Sequence, residues 1–192
     1  MMQFEHLLVS RICHDLITPF NAIGLGIEAF DISGDPSLLK GVKASVEKAN
    51  AILKFIRELY SAKEDSFSHS TMSLTRLTSD FMKQYNISLD LKSDLKNISG
   101  TVGKIIMHNA IVAKEIMPFG GAVDIKINGD ENEIITTCSG KSLAIPNFDI
   151  NDELSHKNII RVSLLRLLAE SGFEIIASQE EPLIIMKETR TV

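Results

Sequence analysis

The sequence predicts an α+β protein in which a two-helix hairpin precedes helices layered on one face of a mixed sheet. Residues 3–63 carry apolar side chains at the three- and four-residue spacing of long helices, whereas the rest of the chain alternates helix-like and strand-like patterns. The polar, serine-rich stretch 63–73 between them is typical of a linker. We therefore predict a helical domain at residues 1–64 and an α/β domain at residues 70–192.

Two amphipathic helices form the predicted hairpin. Residues 34–36 (Gly-Asp-Pro) predict a short turn between them, and Gly24 and Gly26 predict a close approach of helices in the bundle. One hairpin cannot cover both of its apolar faces, so we expect a homodimer in which two hairpins pair into a four-helix bundle. The apolar positions are Ile12, Leu16, Ile23, Ile27 and Phe30 in the first helix, and Leu39, Val42, Val46, Ala49, Leu53, Ile56 and Tyr60 in the second.

The second part of the chain switches repeatedly between helical and alternating apolar patterns. Glycine and proline end its elements, as at 118–121 and at Gly172. The last two strands are expected to form a hairpin around residues 180–182. The predicted helices are 74–84, 102–117 and 158–171, and the predicted strands are 87–91, 123–127, 133–138, 173–177 and 183–186.

Composition excludes several classes of protein. A formal net charge of −5 without a basic cluster argues against nucleic acid as a partner. The two cysteines have no disulfide-framework spacing, and the histidines have no metal-ligand spacing with them or with one another. No apolar run approaches the roughly 18 residues that span a bilayer. Without a secretory signal, the cytoplasm is the expected location.

A polar stripe on the first helix carries the candidate chemistry. Arg11, Thr18 and Asn21 lie within about 60° of His14 on the helical wheel, so this stripe is predicted to face away from the core. Imidazole nitrogen can accept a phosphoryl group and pass it on, and such a nitrogen must be open to in-line attack. The stripe therefore makes His14 a candidate phosphoacceptor.

Neighbouring side chains have candidate roles around that imidazole. Arg11 is expected to offset the charge of a phosphate on His14. Asp15, placed sideways, is expected to accept a hydrogen bond from one ring nitrogen and leave the other nucleophilic. Phe20 and Leu25 are equally consistent with contacts to a partner and with bundle packing.

Residues 14–19 (His-Asp-Leu-Ile-Thr-Pro) resemble the phosphoacceptor box of sensor histidine kinases, His-Glu/Asp-Leu-x-Thr/Ser-Pro. Residues 10–15 (Ser-Arg-Ile-Cys-His-Asp) further resemble the ChpT-like histidine phosphotransferases. The resemblance implies a dimerisation hairpin followed by an α/β sandwich like the kinase ATP-binding domain. In such kinases a residue at the place of Thr18 helps to hydrolyse a partner's aspartyl phosphate; here Thr18 suits that role or a plain solvent-facing one.

The second domain departs from the kinase pattern. Asn109 is kept, but Val112 stands where a magnesium-binding asparagine is expected. Residues 136–140 (Thr-Thr-Cys-Ser-Gly) replace the adenine-reading Asp-x-Gly-x-Gly segment and lack its acid, and no glycine-rich lid loop precedes the last helix. We therefore expect no ATP binding, no autokinase activity and no bound metal.

The expected activity is that of a histidine phosphotransferase. Its phosphoryl group would come from the aspartate of one receiver domain, such as that of a hybrid histidine kinase, and pass to the aspartate of a response regulator, with magnesium supplied by the receiver. Two alternatives stay open: a catalytically dead, kinase-like binding module that sequesters a response regulator or kinase, and a small kinase with an unusual nucleotide site. The sequence identifies neither the donor and acceptor nor the direction of transfer.

Overall fold

The computed structural model describes residues 2–61, 68–144, 147–149, 154–155, 157–180 and 183–191. Two long helices open the chain, α1 (Met2–Ser33) and α2 (Leu38–Leu59), and they pack against each other as a hairpin. In the turn, Gly34 has a φ of +68°, and the Asp35 carboxylate accepts a hydrogen bond from the Ser37 backbone N–H at 2.9 Å. The predicted hairpin and its turn are confirmed.

The apolar stripe of α2 divides into two sides. Ala49, Ile52, Phe55 and Leu59 are buried. The outward positions, seven residues apart, are Leu39, Val46 and Leu53, which are 43%, 40% and 43% exposed. These exposed positions lie on the side of α2 that one hairpin leaves uncovered, because a hairpin covers only one side of each helix. Their packing as a seam of a paired bundle stays a prediction.

Gly26 lies at a close approach of α1 to α2 within the hairpin, while a close approach at Gly24 in a paired bundle stays a prediction. A Cβ on Gly26 would lie 2.6 Å from the Cγ2 atom of Val42, whereas Gly24 has open space around it. Helix α1 also continues through Pro19, which is buried.

Three helices and five strands build the α/β layer. Strand β2 pairs with β4 in parallel, and the other neighbours are antiparallel, giving the order β2-β4-β5-β7-β6. Strand residues alternate between buried and less buried, and the buried ones share one core with the helices. The elements are α3 (Thr71–Lys83), α4 (Gly100–Ile116), α5 (Ile159–Ser171), β2 (Ile87–Lys92), β4 (Gly121–Ile127), β5 (Glu133–Ser139), β6 (Phe173–Glu180) and β7 (Leu183–Arg190).

A small second sheet was not predicted. Strand β1 (Ser68–Ser70) pairs antiparallel with β3 (Asn97–Ser99). His69 of β1 is buried and lies so close to Gly103 that a Cβ there would come within 2.6 Å of its ring. The expected linker at 63–73 is therefore wrong for residues 68–73, which form this strand and the start of α3, while residues 62–67 lie outside the described part of the chain.

The hairpin packs directly onto the α/β layer. Phe55 of α2 stacks on Phe81 of α3 with ring centroids 4.0 Å apart, and both belong to the core that contains α4. The N-terminal half of α1 reaches α5, where Arg166 lies over the ring of Phe4. These contacts bring the predicted phosphoacceptor helix against the C-terminal half of the chain. Among the described helices, none has an apolar stretch long enough to cross a membrane.

Candidate functional site

The side chain of His14 is exposed to solvent on the surface of α1. Its side chain is 77% exposed, and Thr18 and Asn21 on the same face are exposed as well. At about 100° per residue, Leu25 falls only about 20° from His14, three turns along the helix. Leu25 is 66% exposed, so one face of α1 presents an imidazole, a hydroxyl, an amide and an isobutyl group.

Phe20 lies on a different face from His14. Six residues separate the two, which places them about 120° apart on the helix. Phe20 is 52% exposed, and Ile17 and Ile27 on the same side are 56% and 45% exposed. The structure therefore separates the two predicted partner contacts, with Leu25 on the histidine face and Phe20 on an apolar face.

Arg11 departs from the predicted stripe. Its side chain is only 19% exposed and turns toward α4, where Nη2 lies 3.6 Å from Oε1 of Glu115. Its Nε lies 3.6 Å from Oδ1 of Asp15, one turn along α1. The expectation that Arg11 points into solvent beside His14 is wrong, because this half of α1 packs on the α/β layer.

Asp15 connects the imidazole to the second half of the chain. Its Oδ1 lies 3.5 Å from Nδ1 of His14, and its Oδ2 accepts a hydrogen bond from Nζ of Lys114 at 3.0 Å. Burial raises the pKa of Asp15, but the Lys114 ammonium and the Arg11 guanidinium outweigh burial and hold that pKa below its ordinary value. Asp15 is therefore a carboxylate at neutral pH, placed beside one ring nitrogen and away from the other.

These side chains belong to a larger charged cluster, which we call the interdomain ion cluster: Arg11, Asp15, Lys114, Glu115 and Arg161. Arg161 on α5 donates a hydrogen bond to Oε2 of Glu115 at 3.0 Å. All five side chains are 16–21% exposed, and three cations face two carboxylates. The formal charge of the cluster is therefore about +1, and Asp15 is its member in contact with the His14 ring.

Sequence reasoning missed the C-terminal members of this cluster. Lys114 and Glu115 end a helix that is otherwise almost wholly buried. Adjacent opposite charges at the end of an apolar helix are a signal for a polar contact there, but the pattern does not say with which residue. Lys114 also lies over the ring of Tyr85, with Nζ 4.2 Å from the ring centroid.

The two positions compared above with the magnesium-binding helix of kinases, Asn109 and Val112, are buried in this structure. Val112 and Asn109 are both fully buried, and Asn109 donates to the Thr136 hydroxyl at 3.0 Å. Glu188 is fully buried beside Asn109, whose side chain lies close enough to lower the pKa of the Glu188 carboxyl against the larger effect of burial. Within the described ranges, no three His, Cys, Asp or Glu side chains group as a metal site.

The fold and an exposed histidine on its long helical hairpin define the class of protein: it has the architecture of the histidine kinases and related phosphotransferases. A solved bacterial phosphotransferase superposes with a TM-score of 0.87 at 20% identity, covering 98% of this chain and 96% of that one. The Acinetobacter baumannii histidine kinase AdeS superposes with a TM-score of 0.51 at 13% identity, covering 93% and 97%.

Sequence comparison names the family. Residues 71–181 match the family described as the histidine phosphotransferase C-terminal domain, and the chain belongs to that family. The protein phosphotransferase ChpT of Brucella abortus (strain 2308) is 24% identical over 144 residues, which cover 73% of this chain and 69% of the relative. The resemblance inferred from residues 10–15 is thereby confirmed.

Proposed function

We propose that this protein relays a phosphoryl group between receiver-domain aspartates in a cytoplasmic two-component phosphorelay, with His14 as the phosphoacceptor. One observation carries the proposal: the His14 ring is exposed, and the Asp15 carboxylate occupies only its Nδ1 side. Nε2 is therefore open to solvent and can attack the phosphorus of a donor in line.

The proposed transfer needs no group beyond the two proteins. Asp15 holds the ring proton on Nδ1, and the lone pair of Nε2 attacks the phosphorus of an aspartyl phosphate. The N–P bond forms as the P–O bond to the receiver carboxylate breaks, and that carboxylate keeps the electron pair. The second transfer reverses these steps: a receiver carboxylate attacks the phosphorus, and the N–P electron pair returns to Nε2. The magnesium that receivers use stays with the receiver.

The buried polar residues support a phosphate source other than ATP. Val112 is aliphatic and lies in the hydrophobic core, and Asn109 is fully buried with its Nδ2 donating to Thr136, so neither side chain is exposed to a magnesium nucleotide. Calorimetry with ATP and magnesium should show no binding at micromolar concentrations. Micromolar binding would instead favour a small kinase with an unusual nucleotide site.

The same surfaces support the proposed partners. A receiver would dock over the His14 face of α1, where Asn21 and Leu25 are exposed. A second copy of the chain would cover the other apolar face, which includes Phe20 and the outward side of α2. That arrangement leaves His14 accessible in a paired four-helix bundle.

The direct test is transfer from a phosphorylated receiver. Wild-type protein should acquire an acid-labile, base-stable label, His14→Gln should acquire none, and His6→Gln, which alters another exposed histidine of α1, should be labelled like the wild type. Circular dichroism should show the same fold in all three proteins. Label on the His14 variant would refute His14 as acceptor. Binding of the receiver with no label on any protein would identify a sequestering module.

A further inference from the structure

Asp15 can make two competing sets of contacts, and the structure selects one. Arg11 lies four residues earlier on the same helix, a spacing at which Arg and Asp side chains pair on isolated helices. Without the Lys114 ammonium, the Arg11 guanidinium would compete with the His14 ring for the Asp15 carboxylate. In the structure Oδ2 is taken by Lys114 at 3.0 Å, and Oδ1 is left between Arg11 and Nδ1 of His14.

Lys114 is itself held in place. Its side chain is 16% exposed, its ammonium lies 4.2 Å from the centre of the Tyr85 ring, and its helix is fixed in the core. A cation over an aromatic face is attracted to the ring while it keeps its hydrogen bonds. The ammonium is therefore a rigid anchor on the α/β layer, whereas Asp15 sits on the hairpin.

We infer that Lys114 is a positioning residue for phosphotransfer: by holding one oxygen of Asp15, it keeps the other against Nδ1 of His14. This inference rests on the proposed function of His14. The α/β layer would then contribute to phosphotransfer without binding a nucleotide, because it supplies the Lys114 ammonium that orients the Asp15 carboxylate. Lys114 contacts Asp15 and the ring of Tyr85, and we expect it to act on the imidazole through Asp15.

The first test needs no receiver and no phosphate. Nitrogen-15 NMR of the neutral His14 ring, identified by its loss in His14→Gln, reports which nitrogen holds the proton. The wild type should carry it mainly on Nδ1, and Lys114→Met should shift the proton substantially toward Nε2. Lys114→Arg, which keeps a cationic donor, should restore the wild-type pattern. Lys92→Met should leave it unchanged, because Lys92 pairs with Asp124 on the sheet. An unchanged tautomer ratio in Lys114→Met overturns the inference.

The second test is a double-mutant cycle on the transfer rate. A displaced carboxylate should slow phosphoryl transfer to Lys114→Met by about tenfold or more. In an Asp15→Asn background the same substitution should cause no further loss, since Lys114 acts only through that carboxylate. Independent, multiplying losses would contradict the inference. Should Lys114→Met not fold, Lys114→Gln replaces it in both experiments.

The two tests separate the two claims. If wild-type protein takes no phosphate, the proposed function fails, and the NMR measurement still decides whether Lys114 positions Asp15. If wild-type protein takes phosphate and the Lys114 variants behave like it in both tests, the proposed function stands and the role of Lys114 is refuted.

Discussion

At the scale of a single residue, Glu188 couples the stability of the α/β core to pH. Burial raises its pKa to about 8 from an ordinary value of 4.5, because the charged form loses its hydration inside the protein. Below 4.5 the folded and unfolded chains both keep the proton. As the pH rises from there, the unfolded chain releases the proton while the folded chain retains it, so unfolding becomes progressively more favourable up to about pH 8.

We predict that Glu188→Gln reduces the dependence of the free energy of unfolding on pH. Between about pH 5 and pH 8, the free energy of unfolding of the wild type should fall by about 3 kcal/mol through this group. The Glu188→Gln variant should not show this fall, because its amide does not titrate. Urea denaturation at a series of pH values measures the difference, with Glu174→Gln, an exposed glutamate of β6, as the control. If the free energy of unfolding changed equally with pH in Glu188→Gln and in the wild type, Glu188 would already be ionised in the folded chain.

Single residues also show what the sequence could and could not predict about the site. The exposure of His14 follows from helical periodicity, which is local, so it was predictable. The position of Arg11 depends on Glu115, and Asp15 depends on Lys114, 99 residues away. Periodicity carries no information about such pairs, so the interdomain ion cluster required the fold.

At the scale of elements, length decided which ones were predictable. Helices and strands long enough to show a period of 3.6 or 2 were found within a few residues of their observed bounds. Strands β1 and β3 span three residues each, and β1 reads Ser-His-Ser. Their pairing could not be predicted from the sequence, because it depends on the packing of His69 in β1 against Gly103 of α4.

The close approach of α1 and α2 gives a prediction at this scale. Gly26→Ala should destabilise the hairpin, because the added methyl would overlap the stiff, β-branched side chain of Val42. Gly41→Ala in α2 has open space and should instead stabilise its helix by about 0.5–1 kcal/mol. Thermal and urea unfolding measure both, and adding Val42→Ala should recover part of the loss caused by Gly26→Ala. A neutral or stabilising Gly26→Ala would contradict the packing described for the hairpin.

At the scale of the whole molecule, the uncovered side of the hairpin predicts self-association. Leu39, Val46 and Leu53 repeat every seven residues along α2 and are exposed, which is the spacing of a bundle seam. Burying such a row against a second copy removes apolar surface that a single chain leaves in water.

We predict that Val46→Glu converts a dimer into a monomer, because it places charge in that seam. Light scattering during size-exclusion chromatography gives the mass, which should fall from two chains to one. Ile176→Glu should leave the dimer intact, since Ile176 is also apolar and is more exposed than Val46 but lies on β6 of the sheet. A wild-type mass of one chain, or a Val46→Glu protein that stays dimeric, would remove the support for a paired bundle.

The distance along the chain between Asp15 and its lysine has a consequence for biosynthesis. Helix α1, which carries the proposed phosphoacceptor His14, leaves the ribosome long before residue 114 has been added. A nascent or truncated hairpin thus displays its imidazole with the neighbouring carboxylate paired only within its own helix. If Lys114 orients Asp15 as inferred, competence to accept phosphate at His14 requires completion of the C-terminal layer, and fragments released early should take little phosphate from receiver domains.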